Sequence, residues 1–448
     1  MTAQAVILSG GAGERAFPLS ADKPKPMFEL AGKPLLRYAI ENLLEAGIED
    51  LIIVTGPESK VIQGYFGREW SGAKIRYVVQ EKPLGMANAL KSAQHLLQDR
   101  FFMVNGNDVF EPRLLVDVTR TARQSGTDMV LVGKEMEDPW RFGVFEFTDG
   151  QVTAVVEKPP AGQEPSNVVV VGVYLFSKLI FDYIDRTPQS NYQLEIAYQG
   201  LIEEGNVGFV PYDGIFESFK YPWDLLTINE YVMARSIKEQ RIGDRAQISP
   251  RAIVDGNVHI GEGVKVFENA VIRGPCYIGP HSVIGNNVLI WNNSSIGANS
   301  VIGFSSEIKH SLIGDNCWIH MSYVGDSILS DDCSLGAGTI TANFRFDEAE
   351  VPVNVKGEAV SSGMDKLGVI MGPLCKTGCN ATLMPGVKVG PRSIVGPGVV
   401  LRDDLAPNTL ILGPAPYSTT KNEIVLSAEA KERKMKMLRE RTDSASDS

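Results

Sequence analysis

The run "ISPRAIVDGNVHIGEGVKVFENAVIRGPCYIGPHSVIGNNVLIWNNSSIGANSVIGFSSEI", residues Ile248–Ile308, places Ile248, Val254, Ile260, Val266, Ile272, Ile278, Ile284, Ile290, Ile296, Ile302 and Ile308 on one six-residue beat. An α-helix repeats every 3.6 residues and a strand every two, so an unbroken beat of six belongs to neither alone. It belongs to a parallel β-helix, in which each flat wall is one short strand that sends one aliphatic residue inward. The beat slips after Ile308, resumes at Ile313 and Ile319 and then at Leu329 and Leu335, and returns at Leu383, Val389, Val395 and Leu401. Counting back from Leu383 reaches Thr377 and Met371, and counting forward from Leu335 reaches Thr341, so Phe344–Lys366 is expected to be a loop extruded from the solenoid. Loops of that length cost conformational entropy and are more often functional than decorative. Cys276, Cys317, Cys333 and Cys375 occupy the small-residue position of the hexad, at the inside of a corner, and are expected to be buried thiols. Cys379 lies off that position.

Upstream the pattern is different. From Met1 to about Arg235, the runs "AVILSG", "DLIIVTG", "IRYVVQ", "FFMVNG", "DMVLVG" and "VVVVGVYLF" are continuously apolar, as strands covered on both faces should be. Between them "PLLRYAIENLLEAG" and "MANALKSAQHLLQD" carry apolar residues at helical spacing. Alternation of this kind predicts an α/β fold with a Rossmann-like, mainly parallel sheet, and the whole chain is expected to continue from it into a left-handed parallel β-helix. The division expected is an α/β domain over 1–235, a linker over 236–246, the β-helix over 247–412 and a C-terminal extension over 413–448. The extension is charged from Ser427 onward and ends in "TDSASDS", which reads as a solvated helix fraying into disorder.

The 448 residues are 44% hydrophobic and 22% charged, with a net charge of −11 and no basic tract, which argues against a nucleic-acid partner. No apolar run reaches the length of a membrane span, and "MTAQAVILSGG" lacks the basic and apolar regions of a signal peptide, so a cytoplasmic protein without membrane attachment is expected.

Directly after the first strand comes "LSGGAGERAFPLSADKPKPMFELAGKPLL", Leu8–Leu36. Gly10, Gly11 and Gly13 let backbone N–H groups approach a triphosphate without interference from Cβ, and Arg15 and Lys25 add fixed positive charge. No Gly-Lys-Ser/Thr follows, so this is not a P-loop, and the spacing is not a dinucleotide fingerprint. The stretch resembles the signature of the sugar-1-phosphate nucleotidyltransferases. "QEKPLGMANAL" from Gln80, "VNGNDVF" from Val104, "RFGVFEF" from Arg141, "VVEKP" from Val155 and "YPWDLLTINE" from Tyr221 resemble the same family in the same order.

That resemblance implies that Leu8, Gly10, Gly11, Gly13, Gln80 and Gly85 meet the nucleotide, that Gly143, Glu157 and Val173 line the sugar, and that Arg15 and Lys25 serve catalysis. It also implies Mg²⁺ as cofactor. The family pattern reads Gly-Asp where this chain has Gly106, Asn107 and Asp108, and Asp108 is the better magnesium ligand because a carboxylate suits that ion better than an amide. The family usually carries a second aspartate at the position of Ser218, which leaves neighbouring Glu217, after a small shift, or a water as the candidate second ligand. "QEKPLG" leans towards a pyrimidine nucleotide, UTP or dTTP, with N-acetylglucosamine 1-phosphate or glucose 1-phosphate as the sugar substrate.

In the β-helix, "EIKHSLIGDNCWIHMSYVGDSILSDDCSLGAGTITANFRFD" from Glu307, with "SSGMDKLGVIMG" and "MPGVKVG", resembles the acetyltransferase domain of the bifunctional glucosamine-1-phosphate N-acetyltransferases and UDP-N-acetylglucosamine pyrophosphorylases, in their archaeal-type form. The resemblance implies His320 as general base, with Lys309 and Tyr323 holding the sugar phosphate. Asn343 would orient the substrate amine or the His320 imidazole, and Ala337, Ser361 and Lys366 would approach acetyl-CoA. Ser334 departs from the family's usual asparagine. A homotrimer with sites shared between neighbours follows by analogy. Two other readings stand beside the bifunctional one: a monofunctional nucleotidyltransferase whose β-helix only assembles subunits or senses an effector, and a non-catalytic regulatory paralogue.

Overall fold

A computed structural model describes residues 4–57 and 60–413, so the charged tail from Ser427 lies outside the described residues. The first strand, Gln4–Ser9, is buried along its whole length and runs parallel to Asp50–Thr55 on one side and Arg100–Asn105 on the other. Ala73–Val79 extends the parallel set beyond Asp50–Thr55. Helices Leu35–Glu45 and Pro112–Ser125 cover one face through Leu36, Ile40, Leu43, Leu114 and Val118, while Met86–Ala93 and Gln193–Glu203 cover the other. Burial on both faces is why these strands read as unbroken aliphatic runs.

The unbroken parallel run stops at Arg100–Asn105, although Val207–Pro211 again pairs parallel with Met129–Glu135 at the far edge. Val168–Ser177 pairs antiparallel with Arg100–Asn105, and also antiparallel with Met129–Glu135 and with Gly143–Thr148. Periodicity reports which faces are buried and not which way a strand runs, so direction at this edge was not legible.

The β-helix is built of three sheets of 8, 9 and 8 parallel strands, each strand pairing with its counterpart on the next coil. Ile260, Ile278, Ile296, Ile313, Leu329, Met371 and Val389 form one inward column. The slipped beat has a simple cause. Val324, fully buried, pairs with Ile308 and Thr341, so Ile319, Val324 and Leu329 follow at steps of five because those corners are one residue shorter. Corner residues take left-handed backbone, as at Asn269, Asn287, Asn299 and Asn316 with φ of 59°, 58°, 54° and 56°, a conformation asparagine tolerates better than most.

The four cysteines expected inside are buried, and Cys379 is exposed. Their position does more than fit a tight space. Cys333 Sγ donates to the Gly372 carbonyl at 3.3 Å, as Ser300 Oγ does to Gly314 at 2.9 Å and Ser393 Oγ to Ala406 at 2.7 Å. Small donors thus satisfy interior carbonyls of the following coil that water cannot reach.

Coiling begins earlier than expected. The last helix of the α/β domain ends at Ser236, and Arg241–Ile242 already pairs with His259–Ile260, so the linker is shorter than 236–246. The extruded segment is closed by an antiparallel bridge between Phe344 and Lys366 and folds into a hairpin of Pro352–Val355 and Glu358–Ser361. Val351 and Val353 are buried in one hydrophobic cluster with Ala16, Leu19 and Phe28 of the α/β domain and Leu312, Ile328 and Ile370 of the solenoid. The two domains therefore share a core. Ion pairs Lys23–Asp331 at 2.6 Å and Arg392–Asp22 at 3.1 Å, and Lys356 with Glu14, lie along the same junction. Gly32 is required there: with φ of +74°, a Cβ would stand 2.2 Å from the Tyr277 hydroxyl.

Candidate active sites

The turn that leaves the first strand opens where Arg100–Asn105 also ends, and Gly106 N–H donates to the Leu8 carbonyl at 2.9 Å. A Cβ on Gly10 would meet Gln80 Oε1 at 3.0 Å and the Gly56 nitrogen at 3.2 Å. Gln80, buried, donates through Nε2 to the Gly85 carbonyl at 3.1 Å and to Asn88 Oδ1 at 2.8 Å. Leu8, Gly10, Gln80 and Gly85 are thus brought together. Gly11 faces open space, and Gly13, at φ +70°, starts the short 3-10 turn Glu14–Ala16 that delivers Arg15.

Lys25 Nζ donates to the carbonyls of Phe219 and Lys220 at 3.0 and 2.9 Å and lies 5.0 Å from the Phe219 ring. Burial, and then the neighbouring Arg15 charge, lower its pKa to about 8. The Arg15 guanidinium sits 5.7 Å over the Tyr221 ring, which stacks on Trp223 with centroids 4.7 Å apart. Asp224 accepts the N–H groups of Lys220 and Tyr221 at 2.7 and 2.6 Å, and burial raises its pKa to about 6. The segment 219–224, which ends in "YPWD", therefore seats both signature cations: Lys25 on its first two carbonyls and Arg15 on Tyr221.

Asp108 forms the floor and is 1% exposed. Its oxygens accept from Ser218 Oγ at 2.6 Å and Asn105 Nδ2 at 2.8 Å, and burial pushes its pKa up against those two bonds. Phe216–Ser218 pairs antiparallel with Asp108–Phe110, setting Ser218 opposite Asp108 and Glu217 opposite Val109. Successive strand residues face opposite ways, so Glu217 turns away and the expectation that it joins Asp108 on a metal is corrected. Asn107 is also spoken for, donating to the Phe219 carbonyl at 3.1 Å. Among the described residues no group of three His, Cys, Asp or Glu side chains is placed to hold a metal. Mg²⁺ keeps several of its waters and is commonly held through one or two carboxylates together with substrate phosphates, so Asp108 would hold it only jointly with a bound triphosphate.

On the sugar side Gly143 pairs with Glu157, and a Cβ on Gly143 would stand 2.8 Å from Glu157 Oε2. Val173 is corrected: its side chain is fully buried in the core beneath the sheet, and its neighbour Gly172 is the residue that fronts Asp108, 2.8 Å from Oδ2 for an added Cβ. Three groups here escaped the sequence reading. Lys158 follows Glu157 in the quoted motif, and its Nζ donates to the Tyr192 hydroxyl at 3.2 Å. Glu195 has its pKa raised to about 7, by burial first. Lys220 directly precedes the "YPWD" motif, but its place in the sequence alone gives it no role.

In the solenoid, the strand Tyr323–Gly325 lies between Glu307–Lys309 and Ile340–Thr341, with Lys309 opposite Gly325. Asn343 Nδ2 donates to the Tyr323 hydroxyl at 3.2 Å and to Asp326. Asp326 Oδ1 meets His310 Nδ1 at 2.8 Å. His310 Nε2 lies 2.9 Å from Glu230 of the α/β domain, a charge contact and not an aligned hydrogen bond. Burial alone would lower the His310 pKa, but the carboxylates of Asp326 and Glu230 outweigh it and the net shift is upward.

His320 is exposed at the corner leading into Tyr323, its ring 6.3 Å from that of Trp318. Asn343 is committed to Tyr323 and Asp326, which leaves the His320 imidazole free of it. Ala337 lies one coil on, beside the same corner, where Gly338 N–H donates to the Met321 carbonyl at 2.9 Å. Lys366 sits 5.7 Å over the Phe344 ring, and Leu367 N–H donates to the Asn343 carbonyl at 3.0 Å. Ser361 stands apart on the hairpin, exposed and bonded to Glu350.

Comparison with known proteins matches residues 4–212 to the nucleotidyl transferase family model, and residues 259–290 and 368–403 to the bacterial transferase hexapeptide (six repeats) model. The hexapeptide match skips the stretch in which the steps shorten and the hairpin emerges. A curated relative, the bifunctional protein GlmU of Methanococcus maripaludis (strain C7 / ATCC BAA-1331), is 40% identical over 418 residues, covering 91% of this chain and 96% of its own. The chain belongs to the GlmU family. Bifunctional protein GlmU of Methanocaldococcus jannaschii is 36% identical, with 91% and 97% covered. A bifunctional sugar-1-phosphate nucleotidylyltransferase/acetyltransferase of Sulfurisphaera tokodaii is 31% identical, with 90% and 98% covered. Among the described residues no helix is long and apolar enough to cross a membrane.

Proposed function

We propose that this member of the GlmU family is a bifunctional enzyme of nucleotide-sugar synthesis. Its α/β domain couples a nucleoside triphosphate, UTP or dTTP, to N-acetylglucosamine 1-phosphate or glucose 1-phosphate. A phosphate oxygen of the sugar phosphate attacks the α-phosphorus in line, and pyrophosphate leaves. Such chemistry rests on positioning and charge neutralisation, without a covalent enzyme intermediate. The observation that carries the reading is the convergence of Arg15 and Lys25, held on the segment 219–224, beside the open Gly10–Gly11 turn. Gln80 and Gly85 mark the base side, and Gly143 and Glu157 the sugar side. Mg²⁺ is expected to enter with the triphosphate, since the protein's donors do not form a cage for it.

The β-helix transfers an acetyl group from acetyl-CoA to the amine of glucosamine 1-phosphate. His320 takes the amine proton as nitrogen attacks the thioester carbonyl, and CoA leaves as the thiol. Lys309, Tyr323 and Asn343 form the sugar-phosphate side, with Ala337, Ser361 and Lys366 towards the coenzyme. Exposed Phe304, Trp318, Met321 and Phe346 surround this wall and favour assembly of a homotrimer, which would bring a neighbour's hairpin residues to each site. The setting proposed is the cytoplasm, without membrane or nucleic-acid partners.

Two assays test the reading. Pyrophosphate release with Mg²⁺, UTP and N-acetylglucosamine 1-phosphate reports the first activity, and CoA thiol release with acetyl-CoA and glucosamine 1-phosphate reports the second. Release of pyrophosphate without thiol release would leave a monofunctional nucleotidyltransferase.

A further inference from the structure

We infer that Lys220 binds the phosphate of the sugar 1-phosphate and supplies positive charge that the family's second aspartate would recruit as a metal ion. The inference rests on the nucleotidyltransferase reading of the same pocket. The chain replaces that aspartate with Ser218 and, two residues later, presents Lys220. Where the family pattern has a carboxylate this pocket has a hydroxyl, and an ammonium stands two residues away.

The location is specific. Lys220 Nζ lies 4.4 Å from the centroid of the Phe142 ring, the residue that precedes Gly143 on the sugar wall. An aromatic face attracts a cation but leaves its N–H groups without acceptors. The two nearest carboxylates are already engaged: Asp108 with Ser218 and Asn105, and Asp224 with the backbone of Lys220 and Tyr221. Lys25, in contrast, has two of its three donors committed to the carbonyls of Phe219 and Lys220. Lys220 thus has more donors to offer than Lys25, or than Lys158, which gives one to the Tyr192 hydroxyl.

Arg15 and Lys158 are also close enough to act on its charge, one from the signature turn and one from the sugar wall. Lys220 therefore stands at the seam between triphosphate and sugar, where Arg15, Lys25, Lys158 and Lys220 face the carboxylates of Asp108, Asp224 and Glu157. Four cations converging on one cleft suit a phosphate monoester dianion. Burial lowers the Lys220 pKa, a cost that an arriving phosphate would remove. The predicted role is to hold the nucleophilic phosphate beside the α-phosphate against the mutual repulsion of two anions.

The test uses the full chain and the variants Lys220→Ala and Lys220→Arg. A lost charge-assisted hydrogen bond corresponds to a rise of roughly 10- to 100-fold in KM for the sugar 1-phosphate in Lys220→Ala, with KM for UTP within about twofold of wild type. Lys220→Arg should recover most of the loss, and acetyl transfer by the same samples should be unchanged, which controls for folding. An unchanged KM for the sugar phosphate in Lys220→Ala, or equal rises for both substrates, overturns the inference. Calorimetric binding of the sugar 1-phosphate, with a non-hydrolysable UTP analogue present, separates this role from the reaction itself. Binding by wild type and not by Lys220→Ala supports the residue's role even if no pyrophosphate is released, an outcome that would sink the reaction assignment alone. Equal binding by both proteins removes Lys220 from the site.

Discussion

The two candidate sites are built in opposite ways. In the α/β domain, Arg15, Lys25, Gln80, Asp108, Glu157 and Lys220 come from distant parts of the chain and meet in a cleft where carboxylates and ammonium groups are partly stripped of water. In the β-helix, Lys309, His320, Tyr323 and Asn343 come from neighbouring coils and stand on an outer wall, with His320 exposed. Desolvation gives the first site its electrostatic strength without any partner, since charges act further in a water-poor cleft. The second site gains enclosure only if another surface covers its wall. A closed pocket and an open wall should thus respond differently to the same kinds of perturbation.

The sharpest test crosses the two. His320→Ala should lower acetyl transfer by about 10²- to 10⁴-fold and leave pyrophosphate release within twofold. Lys25→Ala should lower nucleotidyl transfer by roughly 10²- to 10³-fold and spare acetyl transfer. Loss of both activities from either change would contradict independent sites.

A pH profile sharpens the contrast in solvation. With its folded pKa lowered to about 8, Lys25 loses its charge at a lower pH than a free lysine. The kcat/KM of nucleotidyl transfer should therefore fall as pH rises through about 8, roughly tenfold per unit beyond it, and Lys25→Arg should hold its rate across that range. A flat profile to pH 9.5 would show that Lys25 does not carry the rate.

Next in size is the junction, where the pocket and the wall cease to be separate. Val353→Ala removes two methyl groups from the core that the hairpin shares with the signature turn, at a cost of about 1.5–2.5 kcal/mol. Urea melts should show that loss, with pyrophosphate release slowed a fewfold because Ala16 and Leu19 pack in the same cluster as Val353. An unchanged melt would mean that the hairpin is not held there. The smallest effect concerns thiols: an aromatic disulfide reagent should modify Cys379 alone in the native protein and all five cysteines in urea. Cys379→Ser should alter stability by less than about 0.5 kcal/mol.

How much was legible follows from the same contrast. The hexad count located Thr341, Met371 and Thr377 inside the solenoid, named the four buried thiols and marked the excursion at Phe344–Lys366, because each coil pairs only with the next and local spacing dictates what faces inward. It missed Val324, since shortened corners break the count. In the α/β domain the glycine turn, Arg15, Lys25 and Gln80 were readable as a compact signature, but Glu217 and Val173 were misplaced. Their facing depends on strands far apart in sequence.

From composition, spacing and motif order alone came an α/β domain ahead of a β-helix, and the family resemblance that pointed to two transfer chemistries. Strand pairing across the fold added that Ser218 faces Asp108, that Lys220 reaches the sugar wall, and that the hairpin folds back onto the signature turn. The physical reason is range. Inward spacing along a solenoid is a property of neighbouring residues, whereas the electrostatics of a cleft depend on which remote segments are desolvated together.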